Sequence, residues 1–259
     1  MQYLIIILVT FLASMIGAVC GIGGGVVIKP VLDALGIMSV NTVSFLSGCT
    51  VLCMTCYSVG MNLKTKSIPI RMRISVPVSI GAAVGGVIGK SCFQSIRMMF
   101  ENKETVGKVQ AACLLALTFG TLLYTVNKKK IKTNRIERTE AILLIGLVLG
   151  MFSSFLGIGG GPFNLVFLSF FFSMETKEAA QTSLFIILFS QITSLCSTII
   201  KHQVPEVQWM MLISMAGLGI LGAVGGRALN KRISAKVVDK LFIGITIIII
   251  GICFYNIVR

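Results

Sequence analysis

"GIGGGVVIKP", residues 21–30, and "GIGGGPFNLV", residues 157–166, begin with the same five residues in a chain of 259. Each lies in a long apolar run. Read as one helix, Tyr3 to Leu35 would extend about 50 Å at about 1.5 Å per residue, against about 30 Å for a bilayer's hydrocarbon core. Ala141 to Met174 has the same excess. Both runs must bend, break or turn back, and the glycine clusters are where they can, because glycine accepts positive φ without steric cost. Pro162 suits a first helical position, where its missing N–H costs nothing. The spacing predicts chain breaks at Gly21–Gly25 and Gly157–Gly161, followed by short helices starting at Val26 and Pro162.

Composition places these breaks in a membrane. Hydrophobic residues make up 55% of the chain and charged residues 12%, with a mean hydropathy of +0.94; a soluble domain carries about twice that charge. Eight stretches lack charge entirely: Tyr3–Ile28, Ala34–Leu63, Ile74–Gly89, Val109–Asn127, Ala141–Met174, Ala179–Ile200, Val207–Gly226 and Leu241–Val258. The first could be taken for a signal peptide, but it has no Lys or Arg ahead of its apolar core and Val19 is a poor cleavage residue; it is expected to stay as a span. The fold class expected is all-α, a polytopic membrane protein of eight transmembrane helices.

The order of features repeats. A GIGGG-broken run is followed by a span opening on "NTVSFL" at 41 or "AQTSLF" at 180. A basic loop ends Ile68-Pro69 or Val204-Pro205, and small-residue spans contain "GAAVGG" at 81 or "GAVGG" at 222. The chain therefore divides into a first four-span repeat, 1–126, a basic linker, 127–140, and a second repeat, 141–259. Four spans per unit return the chain to its starting side. The units are thus expected in one orientation, with the linker and both termini on the same side. On that count twelve of the 23 basic residues lie on the N-terminal side and eleven on the other, too even for the positive-inside rule to orient the chain.

A helix break exposes backbone N–H groups, tolerable at membrane depth only where protein or a water-filled cavity covers them, and a helix N-terminus with free N–H groups attracts anions. The glycines Gly23, Gly24, Gly25, Gly159, Gly160 and Gly161 are therefore candidates for a substrate site, with Gly24 and Gly160 turning N–H groups to the solute; close helix packing is the alternative. GIGGG is not a nucleotide loop: Val26 stands where the dinucleotide fingerprint needs glycine, and no Gly-Lys-Ser/Thr follows.

The duplicated GIGGG with an apolar half-helix behind it, Pro30 and Leu32 after the first copy, and "GAVGGRALNKRIS" at 222–234 resemble the sulfite exporter TauE/SafE family. The resemblance implies an eight-span permease for small sulfur-containing anions such as sulfite or sulfonates. Lys29 departs from the apolar residue expected before that proline.

Polar side chains within the spans add their own support. Asn41, Ser44, Asn164, Gln181, Thr182 and Ser183 can hydrogen-bond an oxyanion without burying a permanent charge; interhelical bonding or capping is the alternative. Lys29 and Asp33, four apart, are the nearest charges to the breaks, either at the site or as a snorkelling interfacial pair. No Asp, Glu, Arg or His interrupts the eight stretches, so nothing supports a carboxylate proton relay or the acid–base groups a membrane-embedded enzyme needs. A structural subunit is the third reading, disfavoured by irregular backbone at depth. Cys49, Cys53 and Cys56 share a helical face, as packing residues or as thiols along a path for a sulfur solute. No cofactor or metal is expected. The expected partners are a small anionic solute and membrane lipids, not nucleic acid, and the location a cell membrane.

Overall fold

Helices alone carry the described residues, which in this computed structural model are 2–99, 103–128, 130–158 and 160–258. They are α1 (Gln2–Cys20), α2 (Gly25–Leu35), α3 (Val40–Thr65), α4 (Met72–Met99), α5 (Lys103–Asn127), α6 (Thr139–Phe155), α7 (Pro162–Phe172), α8 (Thr176–Ile200), α9 (Trp209–Arg232) and α10 (Ala235–Val258). Seven are long and apolar enough to cross a membrane: α1, α3, α4, α5, α8, α9 and α10. The apolar helix α6 is shorter, at 17 residues. α2 and α7 have 11 residues each, about half a bilayer at about 1.5 Å per residue. Outward-facing apolar side chains such as Leu144, Ile213 and Ile247 are exposed, as expected of a surface solvated by lipid rather than water.

Side-chain contacts sort the loops into two ends. At one end, Lys128 pairs with Asp239 at 2.6 Å, Thr133 bonds Ser173, Arg71 pairs with Glu178 at 2.5 Å, and Lys177 donates to the carbonyls of Asn230 and Ile233. Hydrogen bonding to Glu178 pushes the Arg71 guanidinium above its ordinary value, so it stays charged. At the other end, Tyr3 bonds Gln208, Gln94 bonds Gln203, Lys201 donates to Ser91, and the α2–α3 loop shares a cavity with the start of α5, Glu206 and Asn256. The linker thus lies at the end opposite to the first and last helical turns.

This corrects the like-oriented arrangement expected from sequence. Counting spans by length misses a traverse. After α1 the chain turns at residues 21–24, with Gly21 and Gly23 left-handed and Gly24 helical, and the half-helix α2 carries it back before α3 begins. The first half therefore makes an odd number of traverses and leaves at the opposite end. Residues 157–161 and α7 do the same in the second half.

The long helices are held by small-residue packing, the expected glue where lipid removes most of the hydrophobic drive. α4 lies along α6: a Cβ on Gly85 would come 2.0 Å from the Leu147 carbonyl oxygen, and one on Gly146 would come 2.1 Å from that of Val78. α9 lies along α1, where a Cβ on Gly226 would meet the Met15 carbonyl at 2.4 Å. Asn230 of α9 also donates to the Val19 carbonyl at 2.8 Å. Each contact joins the two halves, so neither half packs as a free-standing bundle.

Candidate functional site

Both glycine clusters break the chain. Gly21 has φ 72° and Gly23 φ 73°, and Gly157 has φ 65°, a left-handed backbone that disfavours other residues. α2 begins at Gly25, one residue before the expected Val26, and α7 begins at Pro162. Gly161 caps α7 in extended backbone, so its glycine is not explained by φ. Gly159 lies outside the described residues.

The two breaks meet deep in the bundle. A Cβ on Gly25 would stand 2.2 Å from the Ile158 carbonyl oxygen and 2.9 Å from Ser47 Oγ. Ser47 is seven residues into α3, about 10 Å from its start. From the other side, a Cβ on Gly160 would stand 2.3 Å from Ile187 Cδ1 and 3.5 Å from the Ile22 carbonyl oxygen. Gly21 abuts Ala180 at the start of α8, and Gly157 abuts Ser44 near the start of α3. In the first turn of α2 the N–H groups of Val27 and Ile28 bond the Gly24 carbonyl, and in α7 that of Asn164 bonds the Gly161 carbonyl. The N–H groups of Gly25 and Val26 have no acceptor within their own helix, and Gly25 lies at this junction. Gly23 lies against Val51 and Ile187, and Gly24 against Ser14.

Around the junction, buried polar groups lack partners among the described residues. Asn164, on the first turn of α7, is 0% exposed, yet neither its amide nitrogen nor its oxygen has a hydrogen-bond partner. The hydroxyls of Ser14, Ser47, Thr182 and Ser183 are likewise buried and unpartnered. Leaving such a group unsatisfied costs about 1–3 kcal/mol; other unpartnered hydroxyls, such as those of Ser75, Ser79 and Ser58, lie elsewhere in the bundle. Ser44 is different: its hydroxyl donates to the Val40 carbonyl at 2.7 Å. Asn41 and Gln181 stand apart from the junction, Asn41 in a cavity at the termini end and Gln181 in one at the linker end.

Those cavities approach the junction from opposite ends. The one at the termini end, about 810 Å³, is lined by Asp33, Ser39, Asn41, Thr42, Lys108 and Asn256, among others. The one at the linker end, about 260 Å³, is lined by Asn62, Lys177, Gln181, Arg227, Asn230 and Lys231, among others, with no carboxylate. Lys29 is 3% exposed and donates to Asp33 Oδ2 at 2.7 Å, which corrects the interfacial, snorkelling reading of that pair. The side chain runs inward, its Cε 3.3 Å from where a Gly157 Cβ would be.

Sequence reasoning missed Ser14, hidden in an uninterrupted apolar run, and Asn256, near the C-terminus, which donates to the Pro30 carbonyl at 3.0 Å. It also missed the cations Lys177, Arg227 and Lys231, which only the tertiary structure gathers at one cavity. Cys49, Cys53 and Cys56 line neither cavity, which counts against a thiol path.

The family model for the sulfite exporter TauE/SafE matches residues 6–252. The chain belongs to that family. It is also similar to the "Probable membrane transporter protein YunE" of Bacillus subtilis (strain 168), at 24% identity over 97% of this chain and 96% of the relative. No solved structure matches significantly. The chain is therefore a multi-pass protein of a membrane transporter family.

Proposed function

We propose that this TauE/SafE protein carries a small anion, a sulfur oxyanion such as sulfite or a sulfonate, across the cell membrane. The observation that carries the reading is the buried junction of two broken helices, where free backbone N–H groups meet unpartnered hydroxyls and the Asn164 amide. Such a site offers hydrogen-bond donors to an oxyanion while keeping fixed charge few. Gly23, Gly24, Gly25, Gly160 and Gly161 supply the backbone edge. Asn164, Thr182 and Ser183 bond the anion, Ser44 and Lys29 flank it, and Asn41 and Gln181 stand along the approaches. No cofactor takes part.

In this reading α1, α3, α4, α5, α6, α8, α9 and α10 are eight spans, and 1–126 and 141–259 are two repeats joined by the linker 127–140. The helix packing supports it: α4 on α6 answers α9 on α1, and α5 on α7 answers α10 on α2. With an odd number of traverses per unit, the repeats are inverted and related by an axis in the membrane plane, a geometry that transporters use with half-helix N-termini at the midplane.

The same topology supports a reading of the orientation. Among the described residues the linker end gathers Lys64, Lys66, Arg71, Arg73, Lys128, Lys130, Lys132, Arg135, Arg138, Lys177, Arg227, Lys231, Arg232, Lys236 and Lys240. The termini end gathers only Lys90, Arg97, Lys103, Lys108 and Lys201. The balance expected from a like-oriented count gives way to a strong bias, and the positive-inside rule puts the linker end in the cytoplasm.

Uptake of labelled sulfite, sulfonates and thiosulfate into proteoliposomes tests the function. Flux of at least one above empty vesicles is expected, and its absence for all three with folded protein refutes the proposed substrate class.

A further inference from the structure

Buried Lys29 and partly buried Asp33 form an ion pair within the bundle of a membrane protein, where ionisable groups are costly and mark function by default. Their surroundings are asymmetric. Asp33 lines the 810 Å³ cavity at the termini end, and with Lys29 it also lines a cavity of about 20 Å³ just beneath, shared with Gln110, Cys253 and Asn256. Lys29 reaches on to Gly157. The pair therefore stands between the vestibule and the junction of broken helices. One carboxylate oxygen holds the ammonium, while Asp33 Oδ1 is buried with no hydrogen-bond partner. Other charged or titratable groups facing these cavities are Lys108 on α5, Glu206 beyond α8 and Cys253 on α10.

We infer that Asp33 couples the anion to a proton, a carboxylate relay that the charge-free stretches do not suggest because Asp33 falls just between two of them. The inference rests on the transport reading above. An anion reaching the floor of the vestibule competes with Asp33 for the Lys29 ammonium. Two anions cannot share one buried cation without leaving a net negative charge in low dielectric, which is strongly unfavourable. The carboxylate avoids it by taking one proton from the vestibule water as the Asp33–Lys29 bond opens. The ammonium keeps its protons and now faces the anion. Charge balances: one anion and one proton enter together, and the Asp33–Lys29 bond reforms when both leave. The sequence offset of the repeats puts Leu165 and Ser169 opposite Lys29 and Asp33, so the device exists in one half only.

The test uses full-length protein in proteoliposomes loaded with a fluorescent pH indicator, and methanesulfonate, an anion ionised throughout the mildly acidic to neutral range. Wild-type vesicles are expected to take up label faster when the lumen is alkaline and to acidify the lumen by one proton per anion. Asp33→Asn should abolish the acidification and the response to the pH gradient while still exchanging labelled for unlabelled anion. Asp33→Glu should keep both. If Asp33→Asn does not fold, the wild-type proton-to-anion ratio and the Asp33→Glu variant decide. Label uptake without lumen acidification in wild type, or unchanged acidification in Asp33→Asn, overturns the coupling and leaves the transport reading intact. No uptake and no exchange in wild type overturns the coupling together with sulfonate transport.

Discussion

Asn164 tests the site most directly, because its stability and its function should move in opposite directions. Its amide is buried without partners, and replacing both polar atoms by an apolar group of similar volume removes a desolvation cost of about 1–3 kcal/mol. Asn164→Leu is expected to raise the melting temperature in detergent and to lower anion uptake at least tenfold. An equal loss of both would make the residue structural. Among the glycines, Gly25→Ala drives a methyl into the Ile158 carbonyl, so folding itself should suffer. Gly24→Ala and Gly160→Ala are gentler. A Cβ on Gly24 meets Ser14 at 3.0–3.2 Å, and one on Gly160 meets the flexible end of Ile187. Uptake should fall in both while the protein stays folded, which paired uptake and melting measurements check.

At the scale of the element, the small-residue contacts are unequal in a way that motifs alone do not reveal. "GAAVGG" and "GAVGG" look alike, and alanine at Gly85 or Gly225 would be expected to act alike through helix separation. The structure separates them: a Cβ on Gly85 meets backbone at 2.0 Å, whereas one on Gly225 meets only the Met15 side chain, Sδ at 3.5 Å and Cγ at 3.7 Å. Gly85→Ala should therefore destabilise by about 1–3 kcal/mol through overpacking. Gly225→Ala should stay within about 0.5 kcal/mol of wild type, and thermal melts of the two variants distinguish these outcomes. The contact that Gly225 does not make falls to Gly222 and Gly226, which face Phe11 and Met15 of α1.

For the whole molecule the prediction concerns sidedness. Single cysteines placed in a Cys-free background at 130–138, at Ser67 and at Ser234 should react with a membrane-impermeant thiol reagent only from the cytoplasmic face. Cysteines at Gln203 and Asn256 should react only from the outside. Labelling of the linker and the termini end from the same face would restore the like-oriented arrangement. All eight native cysteines are free, so removing them breaks no disulfide.

Much of this was legible in the residues. A low charge content and apolar runs near bilayer length determine a helical membrane protein, since a chain in lipid must satisfy its backbone internally. Runs too long for one span, interrupted by GIGGG, determine that the chain breaks there, and Pro162 marks where the second half-helix starts. What happens after the break is a tertiary matter. Whether the chain merely kinks or runs back towards its starting side depends on what packs against the half-helix, and here Ser47, Ile158 and Ala180 enclose it from other parts of the chain. That return changes the parity of each half, and with it which lysines and arginines share a face. Only the folded structure decides that Lys29, which the sequence leaves open between a site residue and half of a snorkelling pair, lies buried beside Gly157 with Asp33 as its partner, because burial belongs to the packed assembly and not to the spacing of residues along one helix.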